Sequence, residues 1–98
     1  MPISLEQALA TLRAHESELR AMGVLHAAIF GSMARRKETG ESDLDIVVDL
    51  SETPSLYEYV ALKERVGALF DGPTDIIMRQ AMRPVVQERV AQEQVDAF

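Results

Sequence analysis

Apolar residues along this chain switch between two periods, and the switches mark its elements. Leu5, Ala8, Leu9, Leu12 and Leu19 recur at helical spacing, and Ser4 with Gln7 three residues on has the spacing of a capping box. This predicts a first helix ending near Gly23. Residues 24–30, "VLHAAIF", form a short apolar run between two glycines, which suits a buried strand. Residues 32–37 read as a short helix and "KETGES" as a polar loop. Residues 43–50, "DLDIVVDL", have β-branched Ile46, Val47 and Val48 at their centre and predict a second strand. Turn residues in "SETPS" lead into a helix with Leu56, Tyr59, Leu62, Val66, Leu69 and Phe70 at helical spacing. "DGPT" reads as a turn and "DIIM" as a third strand. Finally, "RPVVQERVAQEQV" puts Val85, Val86, Val90 and Val95 on a last helix, with Pro84 in its first turn.

The order helix, strand, short helix, strand, helix, strand, helix predicts an α/β fold, a small three-stranded sheet flanked by about four helices. No internal repeat, low-complexity segment or linker divides the chain, so residues 1–98 are expected to form one domain.

Composition narrows the class. Apolar residues make up 47% of the chain and charged residues 27%, as in folded globular proteins rather than disordered ones. A net charge of −6 argues against a protein whose main work is neutralising a nucleic-acid backbone. Without cysteine there are no disulfides and no thiolate metal sites. The sequence has no apolar run long enough to span a membrane, and "MPISLEQALA" has no basic segment followed by an apolar signal core. The expectation is a cytoplasmic protein with no membrane partner.

The chemistry concentrates in "FGSMARRKETGESDLDIVVDL". Side chains two apart on a strand share a face, so Asp43 and Asp45 would project together with Leu44 turned away. Two like charges side by side repel, and a divalent cation between them resolves the conflict. Hard oxygen ligands favour Mg²⁺, which commonly binds through a few carboxylates plus substrate phosphates. Just upstream, Gly31 lets backbone approach a ligand closely, and Ser32 offers a hydroxyl and an amide at a helix N-terminus. Arg35 and Arg36 add positive charge beside them. Asp75 opens the last strand, where a neighbouring strand would bring it next to the first two aspartates. Three carboxylates suit two metals, or one metal and a general base, and the chemistry suggested is transfer of a nucleotidyl group. His15 and His26 lack a second ligand at metal spacing and read as structural. Tyr57, Tyr59, Met78 and Met82 read as packing or contact positions, and Arg79 and Arg83 as surface residues.

"GSMARRKETGESDLDIVV" resembles the Gly-Ser-x-Ala-Arg-Gly…Ser-Asp-x-Asp-x-x-Val signature of the minimal nucleotidyltransferases, members of the DNA polymerase β-like superfamily. The later "TDIIM" and "RPVVQERVAQEQV" fall where that family has its corresponding elements, so essentially the whole chain is covered. The resemblance implies the nucleotidyltransferase fold, with its mixed sheet. It assigns Gly31, Ser32, Arg35 and Ser42 to the nucleotide, and Asp43, Asp45 and Asp75 to catalysis and metal ligation. Arg36 stands where the family usually has glycine, an exchange that is neutral in a helix but costs about 1 kcal/mol or more in a left-handed turn. The family's stand-alone members resemble antitoxins paired with a HEPN-domain ribonuclease toxin. A chain of 98 residues is therefore expected to rely on such a partner for its acceptor. The implied reaction is Mg²⁺-dependent transfer of AMP from ATP to a tyrosine hydroxyl of the toxin. A non-catalytic antitoxin acting by binding, or one subunit of a nucleotidyltransferase for aminoglycoside-like compounds, are the alternatives.

Overall fold

Four helices and four short strands form within residues 4–31, 44–70 and 74–98, the parts of the chain that the computed structural model describes. Helix α1, Leu5–Ala14, opens with the expected capping box: the Ser4 hydroxyl accepts from the Gln7 amide at 3.1 Å, and Gln7 Oε1 accepts from the Ser4 amide at 3.0 Å. Strands β1, Val24–Phe30, and β2, Leu44–Leu50, follow the predicted apolar runs. Helix α3, Leu56–Ala68, carries a second capping box between Ser55 and Glu58, and strand β3 is Thr74–Met78. A 3₁₀ turn, Arg79–Ala81, leads to helix α4, Pro84–Glu93, whose proline occupies the first turn, where its missing N–H costs nothing.

Two boundaries differ from the periodicity. The expected single first helix is broken at His15, which ends α1 and begins α2, Glu16–Ala21. At φ −109°, ψ 18° His15 leaves the helical path, and its ring Nδ1 lies 2.9 Å from the Thr11 carbonyl. Glu16 and Glu18 stand in the first turn of the new helix, where carboxylates favour the dipole. Leu12 before the break and Leu19 after it lie in the same core. Val95 does not continue the last helix either. Gln94 turns extended at φ −66°, ψ 149°, and Val95–Asp96 become a fourth strand, β4, paired antiparallel with Ala28 and Ile29. The sheet therefore has four strands, and the three of the prediction are its consecutive core. Satisfying β1's outer edge is the driving term. Arg13 reinforces it, its Nε donating to the Ala97 carbonyl at 2.7 Å and its Nη2 to the Asp96 carbonyl at 3.1 Å.

The strand order is β3-β2-β1-β4, with β2 antiparallel to β1 and parallel to β3. Alternation divides the sheet into two faces. Val24, Ile29, Leu44, Ile46, Val48 and Ile76 pack with α1, α2 and α3 in the main core. Ala28 and Val47, register partners on the opposite face, pack under Val90 of α4, with Phe30 and Met82 at the margin. Glu18 of α2 also holds α3, through Arg65 at 2.6 Å. The expected turn over residues 71–73, short helix over 32–37 and loop over 37–42 lie outside the described residues. Among the described residues no helix is long and apolar enough to cross a membrane.

Ile46 is fully buried, so Ile46→Ala should lower unfolding free energy by about 2–5 kcal/mol, whereas Leu56→Ala, at a position 75% exposed, should stay within about 0.5 kcal/mol. Urea unfolding of the two variants is the check. The hydrogen bond from Arg65, aided by its charge, holds the Glu18 carboxyl below its ordinary 4.5. A depressed folded-state value means that the stabilisation is present above 4.5 and is lost as pH falls through the lower folded value. The stability difference between wild type and Glu18→Gln should accordingly be present at neutral pH and close in acid, read by urea unfolding across a pH series.

Candidate functional site

The face of the sheet opposite the main core carries the aspartates. Leu44, Ile46 and Val48 turn into that core, so Asp45, Val47 and Asp49 project to the other side, and on β3 the burial of Ile76 sends Asp75 and Ile77 the same way. The parallel register pairs Asp45 with Asp75 directly. Their carboxylates thus project side by side from neighbouring strands, one half-buried and one exposed. On its other side Asp45 pairs with Phe30, the residue before Gly31. Gly31 has φ +78°, and a Cβ placed there would lie 2.5 Å from Asp45 Oδ2. The chain leaving β1 therefore runs close over the carboxylate in a conformation that favours glycine, and a side chain there would have to displace that of Asp45.

Of the residues singled out from the sequence, Gly31, Asp45 and Asp75 come together at this end of the sheet. Asp43, Ser32, Arg35, Arg36 and Ser42 lie outside the described residues. Among the described residues no three His, Cys, Asp or Glu side chains converge, so the described part of the site is a carboxylate pair rather than a triad. Two carboxylates on adjacent strands offer hard oxygen donors without thiolate or imidazole, a set that suits Mg²⁺ better than zinc.

The remaining candidates sort clearly. His15 caps helices, and His26 sits on β1 in register with Asp49. The Tyr59 hydroxyl donates to the Ile76 carbonyl at 2.8 Å and ties α3 to β3, whereas Tyr57 is 87% exposed. Met78 packs on the main core and Met82 on the smaller cluster, as contact residues should. Arg83 is exposed, but Arg79 is not the surface residue it was expected to be. Its Nε donates to Asp49 Oδ1 at 2.8 Å and its Nη2 to Gln94 Oε1 at 2.6 Å. The signal was available: Asp75, Ile77 and Arg79 repeat at period two, as Asp45, Val47 and Asp49 do on the strand beside them.

Three helices on one face of a small mixed sheet, with paired carboxylates and a tight glycine turn on the other beside α4, define an α/β nucleotidyltransferase. The profile of the family described as "Polymerase beta, Nucleotidyltransferase" matches residues 15–96, and the chain belongs to that family, among its minimal nucleotidyltransferases. Over 94 residues it is 35% identical to the protein adenylyltransferase MntA of Thermococcus cleftensis, covering 95% of each chain. The solved structure of a minimal nucleotidyltransferase superposes with a TM-score of 0.82 at 29% identity, over 95% of each chain. The fold also matches a complex of tri-AMPylated Shewanella oneidensis HEPN toxin with MNT antitoxin, at 16% identity and a TM-score of 0.68, over 93% of this chain and 71% of that one. At that identity the likeness is one of fold.

Gly31→Ala should cost about 1–2 kcal/mol of stability from the left-handed backbone alone. It should also push the Asp45 side chain from its place. Denaturant unfolding checks the first effect, and displacement of the Asp45 side-chain resonance in NMR spectra checks the second.

Proposed function

We propose that this nucleotidyltransferase is the antitoxin of a toxin–antitoxin pair, transferring AMP from ATP to a tyrosine hydroxyl of a HEPN-domain ribonuclease in a Mg²⁺-dependent reaction. The observation that carries the reading is the in-register Asp45–Asp75 pair beside Gly31, in a chain 35% identical to a protein adenylyltransferase over 95% of its length. In this reading Asp43, Asp45 and Asp75 hold the metal, and Gly31 and Ser32 receive the ATP phosphates, with Ser42 and Arg35 flanking the nucleotide. Bound there, Mg²⁺ supplies charge neutralisation for the phosphates and for the leaving pyrophosphate.

The chain's own residues do the rest. Gly31, having no side chain, lets its backbone come close to the nucleotide, and Arg35 offsets charge developing on the departing pyrophosphate. The tyrosine oxygen bonds to the α-phosphorus as the bond to the β-phosphate oxygen breaks. Asp75, exposed at the edge of the sheet, is placed either as metal ligand or as acceptor of the phenolic proton. The product carries added bulk and negative charge near the toxin's active site, which would obstruct RNA binding. Absence of cysteine and the acidic balance agree with a cytoplasmic location.

The test is intact-mass spectrometry of a co-encoded HEPN protein incubated with this chain, ATP and Mg²⁺. AMP-sized mass steps are expected, lost with Asp43→Ala, Asp45→Ala or with EDTA, and peptide mapping should place them on tyrosine. No mass gain, together with neutralisation of toxicity retained by the double variant, would make this a binding antitoxin instead. Transfer to an aminoglycoside-like compound by the isolated chain would support the small-molecule alternative.

A further inference from the structure

The two strands that carry the carboxylate pair are pinned at their far ends by a different pair. Facing the site side, β2 presents Asp45, Val47 and Asp49, and β3 presents Asp75 and Ile77 and is continued by Arg79. Carboxylate stands against carboxylate at one end, and carboxylate against guanidinium at the other. Arg79 bonds Asp49 at 2.8 Å and Gln94 at 2.6 Å, and Gln94 Nε2 donates to Asp96 Oδ1 at 2.7 Å. One chain of bonds thus joins β2, the end of β3, the end of α4 and β4. The side chains of Arg79 and Asp49 are only 21% and 28% exposed, so solvent screens them less than an ordinary surface pair.

This matters because β3 is held at its middle, by burial of Ile76 and by the Tyr59 hydroxyl on the Ile76 carbonyl, and needs a separate hold at its end. It is a five-residue edge strand with a single ladder, to β2, and that ladder sets Asp75 opposite Asp45. We propose that Arg79 is a positioning residue: by fastening the end of β3 to Asp49 and Gln94, it keeps Asp75 level with Asp45 before the cation arrives. The inference rests on the metal site proposed above. The guanidinium suits the task because one planar fork reaches two acceptors on different elements, whereas lysine supplies a single point charge. With its Nε and Nη2 donors engaged in this way, Arg79 acts through Asp75 and not as a contact to the nucleotide.

The test compares wild type, Arg79→Ala and Arg79→Lys in two measurements. The first is hydrogen exchange of the β3 amides without metal or nucleotide. Exchange should quicken roughly tenfold in Arg79→Ala relative to β1, with Arg79→Lys in between. The second is the Mg²⁺ concentration giving half-maximal pyrophosphate release from ATP with the co-encoded HEPN protein present as acceptor, which should rise roughly tenfold in Arg79→Ala while the rate at saturating Mg²⁺ stays within about twofold. Unchanged β3 exchange, or an equal increase over β1 and β3, would overturn the proposal. So would a lower saturated rate at an unaltered Mg²⁺ requirement, which would make Arg79 a catalytic contact. Should wild type release no pyrophosphate, the nucleotidyl-transfer reading fails, while the exchange data still decide whether Arg79 holds β3.

Discussion

The parallel ladder between β2 and β3 is the constraint on which the rest of the structure depends. Parallel neighbours cannot be joined by a hairpin, so the chain must cross one face of the sheet between them, and α3 is that crossing. α3 joins α1 and α2 over the main core, where Leu12, Ile29, Ile46 and Ile76 are sealed from water. With its apolar investment on one face, the sheet leaves the other only lightly covered, Val90 of α4 packing over Ala28 and Val47. Carboxylates are tolerable on that second face because it was never needed to bury the bulk of the apolar surface. The same ladder fixes which residues meet: a shift of one position would turn Asp75 into the core and Ile76 toward solvent.

Much of this was legible before any coordinates. Short apolar runs bounded by glycines or turn residues, and apolar positions at helical spacing, are local signals, and they located β1, β2, β3 and α3 because each element is consistent with its own sequence. What was not legible is what depends on distant partners. β4 is only Val95–Asp96, too short to announce itself, and it exists because Ala28 and Ile29 offer an open edge and Arg13 grips the carbonyls beyond. Even so, Val95 lies five residues from Val90, off the helical step, and that mismatch was a sign that the helix had ended. The break at His15 was masked for a related reason. Leu12 and Leu19 are spaced as one continuous helix would place them, and both do reach one core, but across a kink.

The candidate site divides the same way. Period two said that Asp45 faces away from Ile46, yet it could not say that Asp75 stands opposite, because register is a property of two strands and not of either one. Gly31 could be flagged as a permissive residue, but its left-handed backbone and its close approach to Asp45 Oδ2 appear only in three dimensions. Arg79 was misjudged because its period-two spacing from Asp75 gave its face but not the partner across the ladder. A lone arginine after a strand looks like solvated surface until Asp49 is found beside it.

The position of Asp75 on the edge strand bears on the kind of acceptor such a site can serve. A carboxylate in the middle of a sheet is flanked by strands on both sides, and anything reacting there must be brought in over the sheet face. Asp45 is in that situation, half-buried between β1 and β3. Asp75 has a strand on one side alone and is exposed, so a reacting hydroxyl can reach it from the side. A small molecule needs its pocket built largely by the enzyme, since it must be enclosed to be held. A hydroxyl displayed on another protein arrives with its own surface and needs only a face to dock against, with binding energy drawn from contacts away from the reacting atom. The graded exposure of the two carboxylates, one seated in the sheet and one open at its edge, is compatible with the polypeptide acceptor proposed above.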